Sequence, residues 1–208
     1  MPFIGVQPAS ALLTSADIQD GQITTAKVAD DAVTGAKIEN NPTIAGTLNA
    51  SAGLTTPSGH VIQTVSFGTN AEVSFNNTSF IATNTTVNIT PKFSSSKILL
   101  FITAPMYVGN EGNHGIATVY RETGTASAGS AITGTNLTGS WGFGSVHVDT
   151  TSNVGSYVAS NICGAVLDSP STTSQLRYTV AVRTYASSAS WFAVNNARGS
   201  IVAQEIAQ

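Results

Sequence analysis

The chain has 208 residues and a formal net charge of −3 at pH 7, and only 9% of its residues are charged. An average soluble protein carries about 25% charged residues, and Thr, Ser, Asn, Gly and Ala replace them here. This length accommodates one ordinary domain with an extension, the charge offers no basic surface for nucleic acid, and the shortage of helix formers predicts an all-β protein.

The amino-terminal residues lack the features of a targeting segment. MPFIGVQPAS has neither the basic region nor the apolar region of a secretion signal, and no run of about 18 apolar residues occurs in the chain. We therefore expect a protein that is made in a cytoplasm and does not insert into a membrane. A single cysteine, Cys163, excludes an internal disulfide and is predicted to be a buried core thiol within NICGAVL.

Three tandem repeats of ten residues follow, from Leu13 to Pro42, without a gap. Near the end of each repeat a pair of residues predicts a turn, because Asp, Asn and Gly tolerate the left-handed conformation. These pairs are Asp20-Gly21, Asp30-Asp31 and Asn40-Asn41. Large aliphatic residues recur every five positions, at Leu13, Ile18, Ile23, Val28, Val33 and Ile38.

A spacing of five places these side chains on one stripe of neither a helix nor a strand. Chains that turn regularly while winding about a shared axis could collect them, each chain adding one side chain per layer. Because one thin chain buries too little surface to offset its ordering entropy, we predict an oligomer with these aliphatics at its axis. A flexible low-complexity linker is the alternative. The predicted stalk, with the stem that follows the repeats, occupies residues 13–59.

From His60 to Gln208 the sequence consists of short apolar runs bounded by turn residues, which is typical of a β-sandwich or jelly roll. We expect an antiparallel head domain of about ten strands over residues 60–208. The predicted strands are HVIQTVSF, TTVNITP, SKILLFITAP, GIATVYRE, SWGFGSVHV, GSYVASNICGAVL, LRYTVAVRTY, SWFAV and SIVAQEIA.

Several strands allow finer predictions. Val61, Gln63 and Val65 are predicted to share one face of the first strand. The run from Ile98 to Ile102 predicts a central strand covered on both faces. The final run, Ser200 to Ala207, is expected to return into the sheet, and Gly124 to Ser140 is expected to form a long loop.

No motif of the head indicates catalysis, a metal or a cofactor. Its six carboxylates form no short-range pair, and we expect them to serve mainly as solubilising surface groups; they are Glu72, Glu111, Glu122, Asp149, Asp168 and Glu205. The histidines, His60, His114 and His147, have none of the spacings of metal ligands. We therefore predict a protein that is not an enzyme and binds no cofactor.

The head does contain aromatic residues of the kind that cover the apolar face of a sugar. Packing in the core or at a subunit interface is the alternative for each of them. These ligand-contact candidates are Trp141, Trp191, Tyr107, Tyr157 and Tyr185.

The repeats, read as DGQITTAKVADDAVTGAKI, resemble those of tail fibres and related appendages of tailed bacteriophages, especially phages of marine bacteria. Four segments of the head are similar to the carboxyl-terminal domains of phage fibre and minor virion proteins: HVIQTVSF, VNITPKFSSSKILLFI, LDSPSTTSQLRYTVAV and SIVAQEIA. The opening MPFIGVQPAS is similar to the segments by which such fibres attach to the particle. The resemblance implies a virion protein, a homotrimer anchored to other tail or capsid proteins through residues 1–12.

The resemblance further implies that the head faces a glycan or protein receptor on a bacterial surface during adsorption. A chain of 208 residues is short for a principal tail fibre. A purely architectural capsid or tail decoration protein, such as a head fibre, is therefore the alternative. A polysaccharide depolymerase is less favoured, because such enzymes have longer repetitive β domains and grouped acids.

Overall fold

The computed structural model describes residues 18–29, 32–34, 57–109, 112–122, 126–149 and 157–208. The chain divides into two units, Met1–Leu54 and Thr55–Gln208. In the described ranges, no helix is long and apolar enough to cross a membrane.

The repeats contain turns at the places where they are described. The Gln22 N–H donates to the Gln19 carbonyl at 3.1 Å, and Gly21 between them has a φ of 76°. This confirms the turn predicted at Asp20-Gly21. A 3-10 turn spans Thr25–Lys27, while residues 30–31 and 40–41, where the other turns are predicted, lie outside the described residues.

The predicted axis aliphatics are only partly described. Leu13 and Ile38 lie outside the described residues, and Val28 is half-buried. Ile18, Ile23 and Val33 are 46%, 59% and 58% exposed in this single chain. Three of the four described aliphatics of the row are therefore exposed in one copy, and burial of the row at a shared axis stays a prediction.

The described part of the head is built of strands, as the composition predicts. It also contains a 3-10 turn of three residues, Val194–Asn196, whereas its shortest strand has two residues. The strands are β1 (Val61–Thr69), β2 (Val73–Phe75), β3 (Ile81–Ile89), β4 (Lys97–Gly109), β5 (His114–Glu122), β6 (Thr135–Asn136), β7 (Gly144–His147), β8 (Tyr157–Asp168), β9 (Leu176–Thr184), β10 (Ser190–Phe192) and β11 (Gly199–Ile206).

These strands form two antiparallel sheets whose inner faces share one apolar core. The six-stranded sheet has the order β1-β11-β4-β10-β2, and β8 pairs with the other edge of β4. The five-stranded sheet has the order β3-β9-β5-β6, with β7 also on β5. The sequence therefore predicts the all-β class correctly, together with nine of the strands. It misses β2 and β6, which are three and two residues long.

The last strand closes the head as predicted. Ile201 and Ala203 are fully buried, whereas Val202 and Ile206 are half-buried, so β11 has the alternation of a strand with one covered face. It lies between β1 and β4. The predicted loop at 124–140 is wrong in part, since it contains β6 and a bridge between Ala131 and Ile81.

The prediction that residues 98–102 are covered on both faces is wrong for the single chain. Ile98, Leu100 and Ile102 point into the core, but Phe101 is 45% exposed on the opposite face. We call this opposite face of the six-stranded sheet its outer face. Cys163 also lies there and is exposed, which contradicts its predicted burial. In β8, Ile162 points inward, so its neighbour in a period of two points outward.

The predicted face of Val61 is wrong, because β1 contains a β-bulge at this residue. Val61 pairs with Ile206 but Gln63 pairs with Glu205, so β1 has one extra residue at this point. Val61 is therefore exposed, while Gln63 and Val65 are half-buried.

Three of the predicted surface carboxylates are buried: Glu122, Asp168 and Glu205. Each has partners that offset the loss of hydration. Glu205 accepts hydrogen bonds from Gln63 Nε2 at 2.6 Å and from the Lys92 N–H at 2.7 Å. Their burial makes them framework groups of the fold, contrary to the surface role predicted for them.

Asp168 and Glu122 are each paired with an arginine. Arg121 Nη1 donates to both oxygens of Asp168 at 2.8 Å, and the Tyr178 hydroxyl donates to Oδ2 at 2.7 Å. Burial, reinforced by this hydrogen bond, raises the pKa of Tyr178 above its usual range. Arg177 Nε lies 2.9 Å from Glu122 Oε2.

Candidate functional site

The aromatic candidates of the six-stranded sheet gather at one of its ends. There β4 stops at Gly109, which pairs with Tyr157 at the start of β8. Tyr107 of the same strand pairs with Trp191 of β10. The register therefore brings Tyr107, Tyr157 and Trp191 together on neighbouring strands, although Tyr107 and Trp191 lie 84 positions apart in sequence.

The remaining candidates lie at the same end of the five-stranded sheet. The connection from β4 to β5 is short, and Asn113 Nδ2 donates to the Gly109 carbonyl at 3.3 Å. β5 therefore begins where β4 ends, and the Tyr185 N–H donates to the His114 carbonyl at 2.9 Å. The Trp141 ring lies 5.8 Å from that of Tyr185. We call this end of the head, which holds all five candidates, the aromatic end.

The first cluster at the aromatic end joins two aromatic and two imidazole rings. Trp141 and Tyr185 are inclined by only 19° and are 54% and 56% exposed. His114 meets their edges, at 5.4 Å from Trp141 and 5.6 Å from Tyr185. His147 stacks on His114 at 4.2 Å, because the two residues are paired between β5 and β7. The exposed rings of Trp141 and Tyr185 therefore form one aromatic surface, which contacts His114 and, through it, His147.

Glycine positions the Trp141 loop. Gly142 has a φ of 65°, and a Cβ there would lie 1.9 Å from the Ala117 carbonyl oxygen. Only glycine permits this approach. The next residue, Phe143, donates its N–H to that same carbonyl at 3.0 Å. The loop is therefore fixed against β5, which holds Trp141 beside His114.

The surroundings of His114 disfavour the protonated form of its ring. Burial, and secondarily the neighbouring His147, lower the pKa of His114 below its usual 6.5. In the described part of the chain, His114 Nδ1 is buried and has no hydrogen-bond partner. Arg183 Nη2 is engaged with the Ser140 carbonyl at 2.7 Å, and its guanidinium lies 5.2 Å from the Phe80 ring.

The second cluster consists of Tyr107, Tyr157 and Trp191 on the outer face. Tyr107 and Tyr157 stack with centroids 4.9 Å apart and planes inclined by 5°. Trp191 lies 5.8 Å from each of them at a tilt. Gly109 allows this stack, since a Cβ there would lie 2.3 Å from Tyr157 Cε1.

Two hollows flank the second cluster. One, of about 400 Å³, is bordered by Tyr107, Asn161 and Asn195. The other, of about 210 Å³, lies on the far side of Trp191 beside Asn76. Aromatic walls with uncharged amides are suited to hydrogen bonding and stacking with a neutral polar ligand.

Buried polar groups tie the two clusters together. The Gly109 carbonyl accepts from the Ser188 hydroxyl at 2.9 Å as well as from Asn113. Asn113 Oδ1 in turn accepts the Ala186 N–H at 3.0 Å. Sequence reasoning missed Asn113 and Ser188, because nothing in their local sequence indicates burial.

The chain joins the head at the opposite end. The Gly59 N–H donates to the Ala207 carbonyl and the Ala207 N–H to the His60 carbonyl, both at 2.8 Å. β11, paired there with β1, also pairs its last residue, Ile206, with Lys97 at the start of β4. The other end of β4 carries Gly109, so its 13 residues separate the two ends by about 40 Å.

The described residues contain no cluster of three or more His, Cys, Asp or Glu side chains that could hold a metal ion. His114 and His147 stack on one another but belong to no such cluster among these residues.

No protein-family model matches this chain, and no curated protein matches it in sequence. Among solved structures it is similar to VP2 of infectious bursal disease virus in a subviral particle, with a TM-score of 0.37 and 12% identity over 80% of this chain and 38% of that one. A VP2 point mutant in T=1 particles gives 0.34 and 14%, over 79% and 41%.

The structure of the Gx strain of the same virus gives a TM-score of 0.29 and 15% identity, over 82% of this chain and 36% of that one. The chain thus spans about two fifths of the length of these structures.

Proposed function

We propose that this chain is a structural virion protein, a short phage fibre or appendage whose head recognises a bacterial surface through the aromatic end. The observation that carries the proposal is positional. All five aromatic candidates lie at the end of the sandwich opposite Gly59 and His60, where the preceding chain is attached. A recognition surface is most accessible to a receptor at the end of the domain that is farthest from the attached chain.

The repeats support a trimeric form of this protein. Their described aliphatics, Ile18, Ile23 and Val33, are exposed in one copy and are expected to be covered by two others. A trimer presents equivalent aromatic ends, so weak binding to a repeated glycan or protein receptor becomes strong overall. Residues 1–12 are proposed to attach the trimer to other tail or capsid proteins.

Two measurements test this function. Gold-labelled antibodies against the head should decorate a projecting appendage of the virion in electron micrographs. Fluorescently labelled full-length chain should bind bacteria that the virus infects and should slow adsorption of the particle. If the labelled chain neither binds these bacteria nor slows adsorption, the recognition role is refuted.

A purely architectural role is the second candidate, and the outer face favours it. Phe101 and Leu167 are exposed there, beside Cys163 and Val202. β8 forms a long sheet edge, with 12 residues that pair only with β4 among the described strands. Unpaired edges and apolar faces are where proteins add further subunits. Antibody decoration spread over the capsid, with unchanged adsorption of particles that lack the protein, would support this role.

A further inference from the structure

The larger hollow beside the second cluster is formed by β4, β8 and the segment after β10. Tyr107 contributes an aromatic wall, and the lining also includes Asn161 of β8 and Asn195 of the segment after β10. Its volume of about 400 Å³ lies within the usual range of roughly 300–1,000 Å³ for small-molecule sites. The hollow can therefore accept a ligand of the size of one or two sugar rings.

The polar groups of this hollow are uncharged and available. None of the nine residues that line it is Asp, Glu, Lys, Arg or His. The side-chain amides of Asn161 and Asn195 make no hydrogen bond to other described residues, whereas Asn113, Asn136 and Asn196 are each engaged. An amide offers both donors and an acceptor, which matches the hydroxyl groups of a sugar.

The backbone that carries Asn195 is held in an uncommon conformation. Ala193, Asn195 and Asn196 have φ values of 57°, 53° and 61°, in the left-handed region that residues other than glycine seldom occupy. The Ala193 N–H donates to the Pro105 carbonyl at 3.0 Å, which fixes the segment against β4. Such conformations persist where surrounding contacts enforce them, and they concentrate at ligand sites.

We infer that this hollow is a binding site for an uncharged saccharide, with Tyr107 packing on a sugar ring and the Asn161 and Asn195 amides bonding to its hydroxyls. An anionic ligand would find no cation in the lining, and a purely apolar one would leave both amides without partners. The role of the sugar as part of a surface receptor rests on the proposed function.

The test uses full-length protein and a panel of neutral sugars, namely glucose, galactose, mannose and N-acetylglucosamine with their disaccharides. Saturation-transfer NMR should detect binding of at least one of them. Replacing Asn195 with Gly removes the amide while keeping the left-handed backbone that glycine adopts freely. Asn195→Gly and Asn161→Ala should each raise Kd by roughly tenfold, the loss expected for one hydrogen bond.

Asn196→Gly is the matched control. It makes the same change at the next residue, which shares the left-handed backbone but does not line the hollow. It should bind the sugar as the unaltered protein does. No transfer to any sugar of the panel, or equal binding by Asn195→Gly and Asn196→Gly, would overturn the inference.

Binding of the same variants to bacteria separates this inference from the proposed function. Loss of sugar binding in Asn195→Gly with intact binding to cells would leave the proposed function standing and assign recognition to other residues. Sugar binding by a protein that binds no cells would keep the site and refute the proposed function.

Discussion

The imidazole of His114 lies on that of His147, with centroids 4.2 Å apart and planes inclined by 23°. Trp141 and Tyr185 rest against the same His114 ring. Two stacked imidazoles repel each other once both are protonated. The support of the exposed aromatic surface therefore depends on at least one neutral histidine.

The first prediction concerns the stability of the head in mild acid. In the unfolded chain His114 titrates at its ordinary pKa of 6.5, whereas folding lowers that pKa. The unfolded chain then binds more protons, so this stability is complete above about pH 6.5 and is lost as pH falls towards the folded pKa. Thermal melting between about pH 7.5 and 5 should show a falling Tm, and His114→Asn should flatten the curve.

His60→Asn is the control for this effect, since His60 is exposed at the other end of the head. Its melting curve should follow that of the unaltered protein. Parallel losses of Tm in His114→Asn and in the unaltered protein would assign the acid response to other groups.

The second prediction concerns the buried carboxylate of Glu205. Glu205→Ala leaves the Lys92 and Phe93 N–H groups without the acceptor that they use at 2.7 and 3.3 Å. We expect a loss of about 2–4 kcal/mol in the free energy of unfolding, measured with denaturant. Gln204→Ala, next to it on the outer face, should change this free energy by less than about 0.5 kcal/mol. Similar losses in both variants would contradict the role given to Glu205.

Periodicity in the sequence predicts the fold well and the depth of each residue less well. An alternation such as that of Ile201 to Ile206 indicates a strand and its inward side directly, because the period is local. It cannot show whether a second layer covers the outward side. The sequence therefore predicts burial for Phe101 and Cys163, although both are exposed on the outer face.

The sequence predicts which residue types form the candidate site but does not predict how they are arranged. Aromatic side chains are visible in the sequence, but the register between β4, β8 and β10 decides that Tyr107, Tyr157 and Trp191 meet. Asn195 could not be singled out, since its left-handed backbone depends on contacts with β4. Glu205 looked like a surface acid because its partners lie 142 and 113 residues away in sequence.

The third prediction uses Cys163 to report on the outer face. An exposed thiol reacts with Ellman's reagent in the native protein, whereas a core thiol reacts only on unfolding. Native chain should therefore be labelled at a rate close to that of unfolded chain, and Cys163→Ser should alter the unfolding free energy by less than about 0.5 kcal/mol. Labelling that requires denaturant would show that the outer face is covered in the assembled protein.

The fourth prediction concerns assembly through the repeats. Light scattering should give about three times the chain mass of 21.3 kDa for the full-length protein. Ile23→Asn places an amide in the predicted aliphatic axis and should shift the protein towards the monomer. Thr24→Asn, at the neighbouring position outside the aliphatic row, should remain a trimer. A monomeric unaltered protein would refute the predicted axis.

The fifth prediction separates recognition from packing at the aromatic end. Trp141 is 54% exposed, and its ring rests on side chains that remain in place when it is removed. Trp141→Ala should therefore cost less than about 1 kcal/mol of stability, whereas truncating a core aromatic costs roughly 3–5 kcal/mol. Binding of the labelled protein to bacteria should fall at least tenfold, as aromatic contact residues dominate binding free energies.

Phe93→Ala is the matched control, because Phe93 is 44% exposed but adjoins Glu205, away from the aromatic end. If both variants bind cells equally well, the first cluster is not the recognition surface, and the rings of the second cluster become the ones to replace.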